Sequence, residues 1–293
     1  MLTFVGLGLY DERSITIQGQ EAIRSADRVF AEFYTSRLVG TTLDDLEAYH
    51  GVEIEVRDRE GVESEPEPIL DAAESGEAAF LVAGDPMIST THVDLRLQAH
   101  ERGVDTCVIH GTTAAAAAAS LTGLQNYRFG KATTLPFPYA HGGGRRSSDR
   151  SGEGEPDDAD AVPESVLETI ATNRERGLHT LVYLDIKVGV GPRGPDPDHE
   201  EYMTADYAAE LLAGAFDASP SAPDSFGGDE LAAAVARAGS DDPVVVADRL
   251  TSLADGDFGD PLHLLVIPGD LHPVEREALS ALGGAPADAF SEE

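Results

Sequence analysis

Residues 80–92, FLVAGDPMISTTH, constrain the fold more than any other stretch of the chain. The apolar opening is too short for a helix and reads as a buried strand. Gly84-Asp85-Pro86 stops it, because glycine permits a turn that other residues resist and proline cannot continue a ladder. Ser89, Thr90 and Thr91 follow, residue types that cap a new helix. A strand that ends in a tight acidic turn and opens a helix is where open α/β sheets hold ligands. An ordinary strand-to-helix connection would look the same on these residues alone.

The same grammar recurs on both sides of this stretch. Residues 2–5 form a strand that runs into Gly6-Leu7-Gly8-Leu9-Tyr10-Asp11-Glu12-Arg13. Asp11 stands where a dinucleotide fingerprint would place its third glycine, which disfavours a nicotinamide-type site. Thr16 is placed to cap a helix over 17–26, and 28–34 reads as a second strand whose Glu32 faces solvent or is paired. Residues 41–48 suit a short helix, 57–67 are polar and acidic, and 69–74 look helical. A helix over 93–102 leads to a strand over 105–109. His110-Gly111-Thr112-Thr113 closes that strand and 114–119, six alanines, open a helix. Those alanines reflect either helix propensity or close packing of a ligand against the helix start. The first ~110 residues therefore alternate strand and helix, which predicts a mainly parallel sheet with its working edge at the strand C-termini.

The second half follows a different plan. Strands are expected over 180–187, 231–238, 244–248 and 263–268, and helices over 164–176, 204–214 and 273–282, without clean alternation. An α+β domain over 110–293 thus follows an α/β domain over 1–109. Residues 139–163 are rich in Gly, Ser and Asp and poor in large apolar side chains, so a flexible acidic insertion is expected. Residues 189–199 read as a second polar loop.

Composition narrows the function. Twenty Lys and Arg against 54 Asp and Glu give a net charge of −34. Such a surface repels nucleic acid and anionic membranes and suits a high-salt interior, where at ~1 M salt the Debye length is about 3 Å. The lone Cys107 sits in an apolar run, so it reads as a core residue and supports neither a disulfide nor a cysteine-based metal site. No apolar run approaches the ~18 residues of a membrane span. The first nine residues lack the basic start of a leader. A cytoplasmic, metal-free protein is expected.

The blocks MLTFVGLGLYDERSIT, AEFYTSRLVGTTL, GDPMISTTH, GLHTLVYLDIK, ARAGS and FGDPLHLLVIPG resemble the diphthine synthase family. That family is a branch of the tetrapyrrole-methylase-like class of S-adenosyl-L-methionine-dependent methyltransferases. The likeness runs from residue 1 to about 285. It implies an α/β, two-domain tetrapyrrole-methylase-like fold, with the methyl donor in the cleft between the domains, and a homodimer. Residue by residue it implies donor contacts at Leu9, Asp85, Ile88, Thr113, Ala114, Leu184, Ala238 and His263. Where relatives carry Pro-Ser-Ile, this chain has Thr112-Thr113-Ala114, which keeps a hydroxyl and a small residue. Physically, Leu9, Ile88 and Leu184 offer apolar surface, and Asp85 suits a ribose hydroxyl or an ammonium. His263 could meet an adenine edge. Asp85 as a helix cap and His263 as a satisfied strand-end histidine are equally consistent with the residues. The implied acceptor is the amino group of a modified histidine in elongation factor 2, which receives three methyls to give diphthine. No catalytic residue is identified. Methylation of a precorrin-type tetrapyrrole is the alternative within the class, and a non-catalytic nucleotide-binding module is a third reading.

Overall fold

A computed structural model describes residues 1–140, 162–191, 194–218, 227 and 229–290. Internal packing divides the chain into two units, Met1–Ala117 with Gly239–Asp241, and Ala118–Ala238 with Asp242–Glu293.

The first unit runs β1 (Leu2–Gly6), α1 (Ile17–Ser25), β2 (Arg28–Glu32), α2 (Leu43–His50), β3 (Ile54–Val56), α3 (Arg59–Glu63), α4 (Glu67–Ser75), β4 (Ala78–Val82), α5 (Val93–Glu101) and β5 (Thr106–Ile109), and α6 (Ala114–Thr122) begins in it. Its sheet has the order β3-β2-β4-β1-β5, and every pairing is parallel. A parallel sheet is covered on both faces, so its strands read as continuous apolar runs. Strand alternation sorts those runs. Leu2, Phe4, Phe30 and Phe80 join one apolar cluster, with Ile69 and Leu70 of α4 and Leu95 of α5. Val5, Val29, Ala31, Ala79 and Leu81 join the other, with Ile23 of α1 and Leu46 of α2. Phe4 and Phe80 meet edge to face at 5.9 Å, a geometry that aromatic quadrupoles favour.

The second unit contains β6 (Thr133–Leu135), α7 (Glu164–Glu175), β7 (Thr180–Leu184), β8 (Ile186–Gly191), β9 (Gly194–Tyr202), α8 (Ala205–Ala218), β10 (Leu231–Ala236), β11 (Val244–Arg249), α9 (Leu250–Ala254), β12 (His263–Ile267) and α10 (Pro273–Gly283). Its sheet, β11-β10-β12-β7-β6, is antiparallel except between β6 and β7. The α/β first domain and mixed second domain are as the sequence predicts. β10, LAAAVA, is wholly buried as a strand because two partner strands outweigh the helix preference of alanine.

One local reading changes and two gain detail. The polar stretch 57–67 contains α3, capped by Asp58, whose carboxylate accepts the Gly61 N–H at 2.8 Å. The expected loop over 189–199 is instead part of the β8–β9 hairpin. A two-stranded ribbon has two outer edges, where proline's missing N–H breaks no ladder bond, so Pro195 and Pro197 do not exclude a strand. Of the two readings of Glu32, the paired one holds: the carboxylate is fully buried and hydrogen-bonded. Residues 141–161 of the expected acidic insertion lie outside the described residues.

One buried ionic cluster organises the second unit. Glu275, with no exposed surface, accepts the Gln125 N–H at 2.9 Å and the His272 N–H at 2.8 Å. The His179 ring lies 3.1 Å away and Arg128 3.7 Å away. Burial raises the carboxyl's pKa, but these donors outweigh it and hold it below the usual value.

Three stability outcomes follow. Glu275→Ala orphans several buried donors and should cost about 3–5 kcal/mol in urea unfolding. A depressed folded-state pKa gives stability that is present above the unfolded pKa and is lost as pH falls through the folded value. The variant should therefore lose less stability than the parent when acidified below pH ~4.5. Gly214, inside α8, has open space where a Cβ would stand, so Gly214→Ala should raise stability by about 0.5–1 kcal/mol.

Candidate active site

β4, β1 and β5 lie side by side and all point the same way, so the loops that leave them share one edge of the first sheet. β1 is flanked by a strand from each direction of winding, the topological switch where open sheets bind ligands. The three loops are packed backbone to backbone. Gly8 and Gly84 exchange hydrogen bonds, Gly8 N–H to Gly84 O at 3.2 Å and Gly84 N–H to Gly8 O at 2.7 Å. A Cβ on Gly111 would lie 2.9 Å from both the Gly6 carbonyl carbon and the Gly8 nitrogen, and would also strike Gly84 O. Gly8 and Gly84 further adopt φ of 75° and 78°, which side-chain-bearing residues resist.

The predicted residues of this unit all sit on that edge. The Leu9 carbonyl accepts the Asp11 N–H at 2.9 Å and the Ser14 hydroxyl. A Cβ on Gly239 would fall 2.6 Å from the Leu9 side chain. Asp11, in the would-be third-glycine position, caps a short turn and holds Arg13 through contacts of 2.8 and 2.9 Å. Ile88 is half exposed. Thr113 caps α6, its hydroxyl accepting the Ala116 N–H at 3.2 Å, and Ala114 is the helix's first residue.

Asp85 is the chemically distinctive member. Its Oδ1 accepts the Met87 N–H at 2.9 Å, and its Oδ2 is 2.7 Å from Nδ1 of His110. The carboxylate is 4% exposed and the imidazole 75%. From the sequence alone His110 is a turn residue at the end of β5. Twenty-five positions separate it from Asp85, and the parallel register of β4, β1 and β5, with the glycine packing of their loops, brings the two together.

A second layer holds the turn from beneath. Glu32 accepts the N–H groups of Tyr34 and Thr35, both at 3.0 Å, and the Thr35 hydroxyl. His92 Nε2 lies 3.5 Å from Glu32, while its Nδ1 is 3.2 Å from the Pro86 carbonyl. Burial raises the Glu32 pKa and lowers that of His92, so each favours its uncharged form.

Among the described residues, three other than glycine hold a left-handed φ: Tyr10 at 71°, Ser89 at 58° and Arg237 at 51°. Each lies in one of the blocks singled out above, GLGLYDER, GDPMISTTH and ARAGS. Strain of about 1–3 kcal/mol per residue persists where surrounding structure enforces it, and it gathers at functional loops.

In the second unit, Ala236 pairs with His263, and Tyr183 with Leu264. The end of β7 with Leu184, the start of β12 with His263, and the segment leading from β10 to Ala238 therefore share one edge of that sheet. Leu184 and His263 are buried. His263 Nδ1 accepts the Ala205 N–H at 3.1 Å and Nε2 is 3.1 Å from the Asp260 carbonyl. Burial lowers the pKa of this ring. Both ring nitrogens are thus engaged within the chain, as for the satisfied strand-end histidine that the sequence also allows.

Residues 1–185 match the family described as Tetrapyrrole (Corrin/Porphyrin) Methylases. The chain is 69% identical over 292 residues to a diphthine synthase of Halorubrum lacusprofundi, covering 100% of both. It is 68% identical over 290 residues to that of Natronomonas pharaonis, covering 99% of this chain and 98% of the relative. A crystal structure of a diphthine synthase, 36% identical, superposes with a TM-score of 0.78 over 98% of each chain. Sequence and fold agree, and the chain belongs to the tetrapyrrole methylase family and, within it, to the diphthine synthases, methyltransferases of diphthamide formation.

Proposed function

We propose that the chain transfers methyl groups from S-adenosyl-L-methionine to the amino nitrogen of a 3-amino-3-carboxypropyl group carried by a histidine of elongation factor 2, three times, to give diphthine. The observation that carries this reading is the buried Asp85 carboxylate set among glycines at the edge of the first sheet. Both oxygens have one partner, and a carboxylate has about four acceptor positions, so room remains for a ribose hydroxyl or an ammonium. Leu9 and Ile88 supply apolar surface beside it, and the first N–H groups of α6 at Thr113 and Ala114 supply donors. These groups fit the parts of the methyl donor: a cationic amino acid end, a hydroxylated ring and a flat apolar base. Leu184, Ala238 and His263 are proposed donor contacts on the edge of their own sheet.

The donor supplies an activated methyl group. The chain's contribution is to hold donor and acceptor in line, and positioning alone is worth effective molarities of ~10⁵ M or more. The net charge of −34 argues against an anionic nucleic acid as acceptor. A homodimer working in the cytoplasm completes the proposal.

Incubation with methyl-labelled donor should mark elongation factor 2 bearing the unmethylated side chain and leave precorrin-2 unlabelled. Label in the tetrapyrrole instead would overturn the assignment. Asp85→Ala should weaken S-adenosylhomocysteine binding about 10- to 100-fold, as expected for loss of a charged hydrogen-bond partner, with the fold retained. Calorimetric titration showing wild-type affinity would remove Asp85 from the donor site.

A further inference from the structure

We propose that His110 is the general base that deprotonates the acceptor amine, with Asp85 as its positioning residue; this rests on the methyl transfer proposed above. A primary amine at neutral pH is mostly an ammonium, which has no lone pair to attack with. One proton must leave the nitrogen before each methyl arrives, and a side chain at the site can take it.

Geometry selects His110. An ionised Asp85 only accepts hydrogen bonds, so the 2.7 Å contact places the ring proton on Nδ1. The lone pair of the neutral ring is then on Nε2. Asp85 is itself fixed by the Met87 N–H, so carboxylate and ring form an oriented pair with the carboxylate buried and the ring 75% exposed. A base of this kind needs an anchored side and an open side. The other histidines of the first unit, and the carboxylates of Asp11 and Glu32, are occupied or remote. Asp11 holds Arg13. Glu32 and His92 are buried beneath the turn, and His50 is buried at the end of α2. His100 lies in the last turn of α5, which leads to the opposite edge of the sheet.

The step balances. The ammonium gives a proton to Nε2; the freed lone pair forms the new N–C bond; the C–S bond breaks and its electron pair stays on sulfur. The imidazolium releases its proton to water through its exposed side before the next cycle. Three transfers release three protons, and the quaternary nitrogen that results has none left to give.

His110→Asn is the discriminating variant, because its amide can still donate to Asp85 but has no basic nitrogen. His110→Ala removes both functions. The assay is single-turnover methylation of elongation factor 2 across pH 6–10, beside calorimetric S-adenosylhomocysteine affinity and thermal unfolding. The proposal expects both variants to fold, to bind S-adenosylhomocysteine within about threefold of the parent, and to methylate about 10²- to 10⁴-fold more slowly at pH 7. Their rates should rise tenfold per pH unit as solvent hydroxide takes over the proton. A merely structural latch expects His110→Asn to behave as wild type and His110→Ala to lose affinity; either result overturns the proposal. So does a slowed variant whose rate ignores pH. A wild-type chain that labels no elongation factor 2 defeats the function itself, whereas an active wild type with an equally active His110→Asn defeats only this assignment.

Discussion

The contact on which the site depends involves no side chains. Gly6, Gly8, Gly84 and Gly111 bring the backbones of three loops within hydrogen-bond and van der Waals distance. A single Cβ at Gly111 would separate the loop after β5 from the other two. The close fit fixes the Asp85 turn relative to the loop that carries His110, and the 2.7 Å contact between them is a result of it. Side-chain chemistry at this edge is thus set by backbone geometry and by the parallel register beneath.

Much of this was legible in residues. The alternation of strand and helix over the first ~110 residues predicts a parallel sheet, and LTFVG, RVFAE and AAFLV are strands of it. The caps Thr16 and Thr113 lie where hydroxyl residues precede apolar runs. What escaped reading depends on pairing at a distance. Glu32 is legible as paired, but not as a neighbour of His92, sixty positions away. His110 looks like a turn residue until sheet order sets it against Asp85. The β8–β9 hairpin was hidden by its own composition, since prolines and acids read as loop and no third strand constrains them. His263 carried two readings in the sequence, and the engaged ring nitrogens match the satisfied strand-end histidine.

The charge tells a separate story from the site. Arg102 faces Asp71 at 2.8 Å, Glu74 at 3.5 Å and Glu67 at 4.0 Å, one cation among three carboxylates. With 54 acidic against 20 basic residues, such imbalance is general on this chain. Relatives from Halorubrum and Natronomonas are 69% and 68% identical, and the acidity accords with life at high ionic strength, where repulsion between surface charges is screened. The apolar clusters under the sheets carry no trace of it, so adaptation to brine and construction of the site proceeded on different atoms.

The pair of Glu32 and His92 has a bearing on how damage to this protein would show itself. Through the Pro86 carbonyl, these interior groups govern the posture of a turn that opens outward. A lesion at either would leave most of the sheet standing while letting the turn wander. Abundance alone would not separate such a loss from ordinary unfolding, and ligand capture measured beside stability would.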